Sequence, residues 1–127
     1  MTYINKNVNI YIYIKKGGKG GFLVQLCRDN YNNQEKKLGK YKKEQETYNK
    51  IIEHIKMCKN FHELQYNPIS KMYGFEALKH KCNGYYSFNL SKKGGVIRLI
   101  VSENEDSTVL NLDFISMDHY NDFKRRL

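Results

Sequence analysis

Near the end of the chain, three strand-forming runs follow one another: Gly84-Tyr-Tyr-Ser-Phe-Asn-Leu90, Val96-Ile-Arg-Leu-Ile-Val-Ser102 and Thr108-Val-Leu-Asn-Leu-Asp-Phe-Ile115. They are rich in β-branched and aromatic residues, and short polar loops separate them. This arrangement predicts a three-stranded antiparallel meander with strands at residues 85–90, 96–102 and 108–115. The density of apolar residues in the last run predicts that it is a central strand.

The first part of the chain predicts a β-hairpin. Four β-branched residues alternate with Asn or Tyr over residues 8–14, and this period of two indicates a strand. A second apolar run covers residues 22–27, and the glycine- and lysine-rich segment 15–21 between them is typical of a hairpin loop. Such a loop could also cradle a phosphate, but it has no Walker A pattern. We therefore interpret it as a turn.

Residues 34–61 have helical periodicity, with apolar side chains on one face and lysines on the other. They form one helix or two, with Gly39 as the weak point, and the apolar face packs on the sheet or receives a partner helix. Asp118 would cap a short closing helix that continues to Leu127. The patterns predict an α+β fold in a single domain of residues 1–127. Its order is an N-terminal strand or hairpin, one or two helices, the three-stranded antiparallel meander and a short C-terminal helix.

Basic residues outnumber acidic ones, with 22 Lys and Arg against 13 Asp and Glu and a formal net charge of +9. This excess favours a polyanionic partner such as nucleic acid, because each neutralised phosphate releases condensed counterions. Solubility alone is the alternative explanation. The three cysteines have no CxxC spacing and no secretory signal precedes them, which predicts reduced thiols and a cytoplasmic location. No apolar run reaches the roughly 20 residues that span a bilayer, so we expect no membrane partner.

The second half of the chain carries a family resemblance. Its segments are Phe75-Glu-Ala-Leu-Lys79, the three strand-forming runs and His119-Tyr-Asn-Asp-Phe123. Their order and spacing resemble the RelE/ParE superfamily of toxins, in particular its RelE, YafQ, YoeB and HigB branches. The apolar run at residues 22–27 departs from the family pattern by adding a strand.

The resemblance implies a RelE-like fold and the activity of an mRNA interferase, an endoribonuclease that cleaves mRNA on the ribosome. It also implies a cognate antitoxin as a protein partner. The ParE branch inhibits DNA gyrase instead, so a gyrase inhibitor is one alternative. A non-enzymatic nucleic-acid-binding domain of the same fold is another.

Metal-free RNA cleavage requires three things: removal of the 2′-hydroxyl proton, stabilisation of charge around phosphorus, and protonation of the 5′-oxygen. Histidine suits the proton transfers and arginine suits the phosphate. The resemblance therefore points to His119 as general acid or base, to Arg98 as a phosphate clamp and to Tyr120 as a further active-site residue. Taken alone, His119 would be an ordinary surface histidine. Arg98 would be an exposed strand residue or the ion-pair partner of Glu103 or Asp113.

Five further residues are candidates for substrate binding: Lys92, Lys93, Phe123, Arg125 and His80. The two lysines would contact backbone phosphates, or they are solvated loop charges. Phe123 would stack on a base or anchor the last helix to the sheet. Arg125 would extend the basic surface or interact with the helix dipole.

Glu76 is a possible general base, by analogy with a glutamate of the YoeB branch. Ser87 and Asn89 stand where RelE itself has lysines, so by the resemblance proton transfer in this chain either uses a different arrangement or is slow. The four histidines lack ligand spacing and no carboxylates cluster, so we expect neither a metal nor another cofactor.

Overall fold

The computed structural model describes residues 2–5, 10–13, 25–28, 31, 33–92, 94–105 and 108–127. In these ranges the strands are β1 Thr2–Asn5, β2 Ile10–Tyr13, β3 Gln25–Cys27, β4 Glu76–Ala77, β5 Tyr85–Asn89, β6 Arg98–Glu103 and β7 Val109–Ser116. The α-helices are α1 Lys42–Met57, α2 Phe61–Tyr66, α3 Pro68–Met72 and α4 Asn121–Lys124. Short 3-10 turns lie at Glu35–Leu38 and His80–Cys82.

The described strands form one sheet in the order β1-β2-β3-β7-β6-β5-β4. Neighbouring strands are antiparallel except β3 and β7, which are parallel. The predicted meander corresponds to β5, β6 and β7. Because β7 lies between β3 and β6, the prediction of a central last strand is confirmed. The molecule is an α+β protein, as the sequence patterns predict.

One face of the sheet is covered by α1. Along this helix Tyr48, Ile51, Ile52 and Ile55 are buried, at the spacing of three and four residues that places side chains on one side. They join the main core with meander side chains such as Leu99. The lysine-bearing side of the helix faces solvent. The opposite face of the sheet is therefore free to carry other groups.

Beyond Asn111, β7 continues without pairing to β3, and side chains around the 3-10 turn at Glu35–Leu38 cover its edge. The Ile115 N–H donates to the Gln34 side-chain oxygen at 2.9 Å, and Lys37 donates to the Ile115 carbonyl at 2.8 Å. These bonds satisfy backbone groups that a further strand would otherwise pair.

The N-terminal half departs from the predictions in part. β1 matches no predicted strand, because a four-residue strand gives too short a periodic signal. The strands predicted at residues 8–14 and 22–27 are described as β2 and β3, which pair antiparallel. The loop at residues 15–21 lies outside the described residues. The predicted helical segment divides at Gly39 into a 3-10 turn and α1.

The prediction for the closing helix is wrong in two respects. Asp118 does not cap it, because Tyr120 precedes the first helical residue and no side chain there accepts a capping bond. The helix ends at Lys124 and does not continue to Leu127. None of the described helices combines the length and the apolar composition needed to cross a bilayer.

Candidate functional site

The face of the sheet opposite α1 carries the candidate site. α4 covers part of this face by packing Phe123 against Phe114, and Phe123 is 5% exposed. The next row along the strands is polar. Its members are Asn89, Arg98 and Ser116, which are paired across β5, β6 and β7 and therefore point to the same face.

The Arg98 side chain is half-buried and held in place by neutral oxygens. Its Nη1 donates to the Asn89 side-chain oxygen at 2.9 Å. The same nitrogen donates to the carbonyls of Gly95 at 2.8 Å and Ile97 at 3.2 Å. Because these acceptors carry no charge, they orient the guanidinium without neutralising it. The cation therefore remains available to an anionic ligand.

Asn89 fixes this guanidinium from a rigid position. Its side-chain oxygen also accepts the Ser91 N–H at 3.0 Å, and its backbone N–H donates to the Tyr73 carbonyl at 2.8 Å. Gly74 lies directly against Asn89: it has a φ of +71°, and a Cβ added to it would lie 3.1 Å from the Asn89 Cβ. A glycine is required there both for the turn and for the close approach.

The Tyr120 hydroxyl joins two strands at the centre of the site. It donates to the Glu76 carboxylate on β4, and it lies 3.2 Å from the Ser87 hydroxyl on β5. Burial raises the pKa of Tyr120, and the hydrogen bond to Glu76 raises it further. The side chains of Ser87 and Arg98 offset only part of that rise in pKa. The phenol therefore stays protonated at neutral pH and acts as a hydrogen-bond donor.

His119 lies at the end of the polar row. Its backbone N–H donates to the Val96 carbonyl at 2.8 Å, two residues before Arg98 along the chain. Its φ is +54°, in the left-handed region where His and Asn are over-represented. The side chain is exposed. The structure thus brings His119 and Arg98, the two leading candidates from the sequence, to the same end of β6.

Asp122 fixes the turn that carries His119 and Tyr120. Its carboxylate accepts hydrogen bonds from the Ser116 hydroxyl and, at 2.7 Å, from the Met117 N–H. Burial by itself would raise the pKa of Asp122, but these hydrogen bonds outweigh it and hold that pKa below its ordinary value. The ionised carboxylate therefore ties α4 to the end of β7.

His80 lies toward the other end of the same face. The Leu78 N–H pairs with the Tyr85 carbonyl, and the chain reaches His80 only beyond that point. Tyr85 is four residues from Asn89, which is about 13 Å along a strand. His80 is therefore distant from Arg98, and the structure does not bring these two candidates together.

His80 nevertheless belongs to a small cavity beside the centre of the site. The cavity has a volume of about 260 Å³. Its charged and phenolic lining residues are Glu76, Lys79, His80, Tyr120 and Lys124. The Glu76–Tyr120 pair therefore lies between the Arg98 end of the face and this basic cavity.

The remaining substrate-binding candidates differ in their exposure. Phe123 belongs to the core under α4, so its ring anchors the helix and is not available to stack on a base. Lys92 and Arg125 are exposed. Lys93 lies outside the described residues.

Sequence reasoning missed two residues that position the site. Asn89 was open to discovery, because alternation along β5 places it on the same face as Ser87. No sequence pattern identifies Asp122, because its bond to Ser116 depends on how α4 folds back on the sheet. Glu76 gained importance only through its contact with Tyr120, 44 residues further along the chain.

In the part of the chain that the structure describes, no three His, Cys, Asp or Glu side chains lie close enough together to hold a metal ion. Comparisons with protein-family models, with curated proteins and with solved structures found no match to this chain. A functional assignment therefore depends on the geometry and chemistry of the site.

Proposed function

We propose that this chain is a RelE-like endoribonuclease, the toxin of a toxin–antitoxin pair, which cleaves mRNA on the ribosome. The observation that carries the proposal is the Arg98 guanidinium, held by neutral acceptors on the sheet face opposite α1. The Tyr120 side chain contacts it, and the His119 backbone N–H binds the carbonyl of Val96, two residues before Arg98. A guanidinium that neutral acceptors orient among the described residues is suited to a phosphodiester. The net charge of +9 favours the same polyanionic substrate.

The proposed cleavage is a metal-free transesterification. Glu76 accepts the proton of the 2′-hydroxyl, and the 2′-oxygen forms a bond to phosphorus. The bond from phosphorus to the 5′-oxygen breaks, and protonated His119 gives its proton to that leaving oxygen. The products are a 2′,3′-cyclic phosphate and a 5′-hydroxyl. Arg98 and the Tyr120 hydroxyl stabilise the charge that develops on the non-bridging oxygens.

The placement of the two proton-transfer groups supports this division of roles. Glu76 is on β4, two strands from Arg98, whereas His119 is held at the start of β6 by Val96. Glu76 and His119 are therefore carried by different parts of the fold. An in-line displacement needs the attacking and leaving oxygens on opposite sides of the phosphorus, and hence a base and an acid on opposite sides as well.

A cognate antitoxin is part of the proposal. A protein with this charge excess is matched by an acidic or amphipathic segment that folds as it binds. Exposed apolar side chains offer such a segment a hydrophobic contact: Met57 is 62% exposed and Met72 is 71% exposed. Burial of these side chains would add to the charge attraction.

Two alternatives make different predictions. A ParE-like gyrase inhibitor would act by binding and would need neither Glu76 nor a protonated His119. A non-enzymatic nucleic-acid-binding domain would use Arg98 and the basic surface without producing cut RNA. Two measurements distinguish both alternatives from the proposal. One is whether translation or DNA supercoiling stops, and the other is whether new RNA ends appear.

The decisive experiment incubates the purified chain with ribosomes programmed with a defined mRNA and maps the new RNA ends. We expect cuts with 5′-hydroxyl ends, and a loss of about 100-fold in rate for Arg98→Ala and for Glu76→Gln. His62→Asn, which changes another exposed histidine, is the control for His119→Asn. Intact mRNA with the parent chain would contradict the proposal. Intact mRNA together with reduced supercoiling by purified gyrase would support the inhibitor instead.

A further inference from the structure

A second cavity lies on the other side of Asn89 from Arg98. We call it the Lys71–Lys92 cavity, and its volume is about 450 Å³. It is lined by Thr47, Lys71, Met72, Tyr73, Gly74, Asn89, Ser91 and Lys92. Its size is within the range of about 300–1,000 Å³ that is usual for small-ligand sites.

The lining of this cavity combines the groups that a nucleotide needs. Lys71 and Lys92 are exposed cations, and none of the described residues that line the cavity is a carboxylate. Thr47 and Ser91 add hydroxyl groups. Tyr73 is half-buried and Met72 is 71% exposed, so both offer apolar surface to a base.

A larger neighbouring cavity does not share this character. Its volume is about 630 Å³, and it has Thr47, Ser91 and Lys92 in common with the first. Glu44 and Glu46 also line it. Lys43 and Lys50 line it as well, so its charge is mixed, whereas no described lining residue on the Lys71 side is a carboxylate.

Asn89 connects the Lys71–Lys92 cavity to the candidate site. It lines the cavity, and its side-chain oxygen accepts the hydrogen bond from Arg98 at 2.9 Å. The Ser91 N–H binds that same oxygen. Asn89 is therefore shared by the cavity and by the site around Arg98.

We propose that the Lys71–Lys92 cavity binds the nucleotide next to the scissile phosphate of a single-stranded RNA. Lys71 and Lys92 contact its phosphate, and Tyr73 and Met72 contact its base. This inference rests on the proposed function, because it takes Arg98 as the place of cleavage. It extends the proposed substrate contact from Arg98 on β6 over Asn89 on β5 to the Lys71–Lys92 cavity.

The test compares two double variants with the same loss of charge. Lys71→Gln with Lys92→Gln removes the two cations of the cavity. Lys40→Gln with Lys59→Gln removes two exposed lysines that are not among the lining residues. The probe is a single-stranded RNA hexamer with 2′-O-methyl groups, which lacks the attacking hydroxyl and cannot be cut. Binding is measured over a range of salt concentrations, and cleavage is measured separately with unmodified RNA on ribosomes.

We expect the cavity variant to flatten the dependence of log affinity on log salt concentration by about 0.7, since the two lysines contact one phosphate and each neutralised phosphate of a single strand contributes about 0.7. The control variant keeps the slope of the parent chain. Equal slopes in the two variants, or a parent chain that does not bind the hexamer, would overturn the subsite. A parent chain that binds with the expected slopes but never cuts RNA would overturn the proposed function and leave the subsite standing.

Discussion

The side-chain oxygen of Asn89 accepts a hydrogen bond from the Arg98 guanidinium at 2.9 Å, across a directly paired position of β5 and β6. An arginine on an open sheet face would ordinarily sample many rotamers in water. Here the Asn89 amide and the Gly95 carbonyl hold one nitrogen of the guanidinium in place. Asn89 is therefore the one side chain among these acceptors whose charge a substitution can change.

Replacing Asn89 separates its structural role from its electrostatic role. Asn89→Asp keeps an acceptor for Arg98 and for the Ser91 N–H, so we expect unchanged or higher stability. Its negative charge would neutralise the guanidinium, so RNA cleavage should fall about tenfold or more. Asn89→Ala should lower both the cleavage rate and, by about 1 kcal/mol, the free energy of unfolding. Urea unfolding and cleavage rates measure the two effects, and an Asp variant as active as the parent would contradict the argument.

Tyr120→Phe removes only the hydroxyl that joins Glu76 to Ser87. We expect cleavage to fall by about 10- to 100-fold, because Glu76 loses its orientation and the phosphate loses a donor. The free energy of unfolding should fall by only about 1 kcal/mol, as for a single hydrogen bond. Tyr85→Phe is the matched control, since the Tyr85 ring also packs on the sheet face near α4, against Phe123. Equal effects of the two variants on cleavage would remove Tyr120 from the site.

His119 can be changed without disturbing its backbone, because Asn tolerates a positive φ. His119→Asn should fold as stably as the parent chain and should lose the proton donor, with cleavage lower by about 10²- to 10⁴-fold. His119→Ala should lose the same activity and about 1 kcal/mol of stability as well. An active Asn variant would show that the imidazole is not the acid.

The meander and its polar row could be predicted because their signals are local. Alternation along residues 85–90 and 96–102 places Asn89 and Arg98 at the edge of one face, and the apolar run at residues 108–115 fixes a central strand. The structure agrees within a few residues at each end.

The contacts that complete the site could not be predicted in the same way. The Glu76–Tyr120 hydrogen bond joins residues 44 positions apart, and it depends on how α4 folds back over the sheet. The sequence predicts that Asp118 caps this helix. In the structure it is Asp122, four residues later, that ties the helix to the sheet, by accepting a hydrogen bond from Ser116. Phe123 illustrates the same limit, since a single aromatic residue near a basic tail fits a binding surface and a core equally well until burial is known.

The burial of the Asp113 carboxylate predicts that the free energy of unfolding decreases as pH rises. It is the extra residue of a β-bulge, because Ile100 pairs with Phe114 while Val101 pairs with Leu112. One of its oxygens is buried without a hydrogen-bond partner among the described residues. Burial raises the pKa of Asp113 to about 6, although a hydrogen bond from Ser102 lowers it in part.

The sign of the effect follows from which state binds more protons. Between about pH 4 and pH 6 the folded chain holds the Asp113 proton more tightly than the unfolded chain, so stability should fall as pH rises through this window. Asp113→Asn removes the penalty, and we expect it to stabilise the protein at pH 7.5 by roughly 1–3 kcal/mol, with little change at pH 4. Urea unfolding at both pH values measures this, with Asp118→Asn as the control at an exposed carboxyl. Asp122 acts in a lower window, because its depressed pKa gives stability that is lost only as the pH falls below about 4. An Asp113→Asn chain whose stability still declines from pH 4 to pH 6 as steeply as that of the parent would show that another group is responsible.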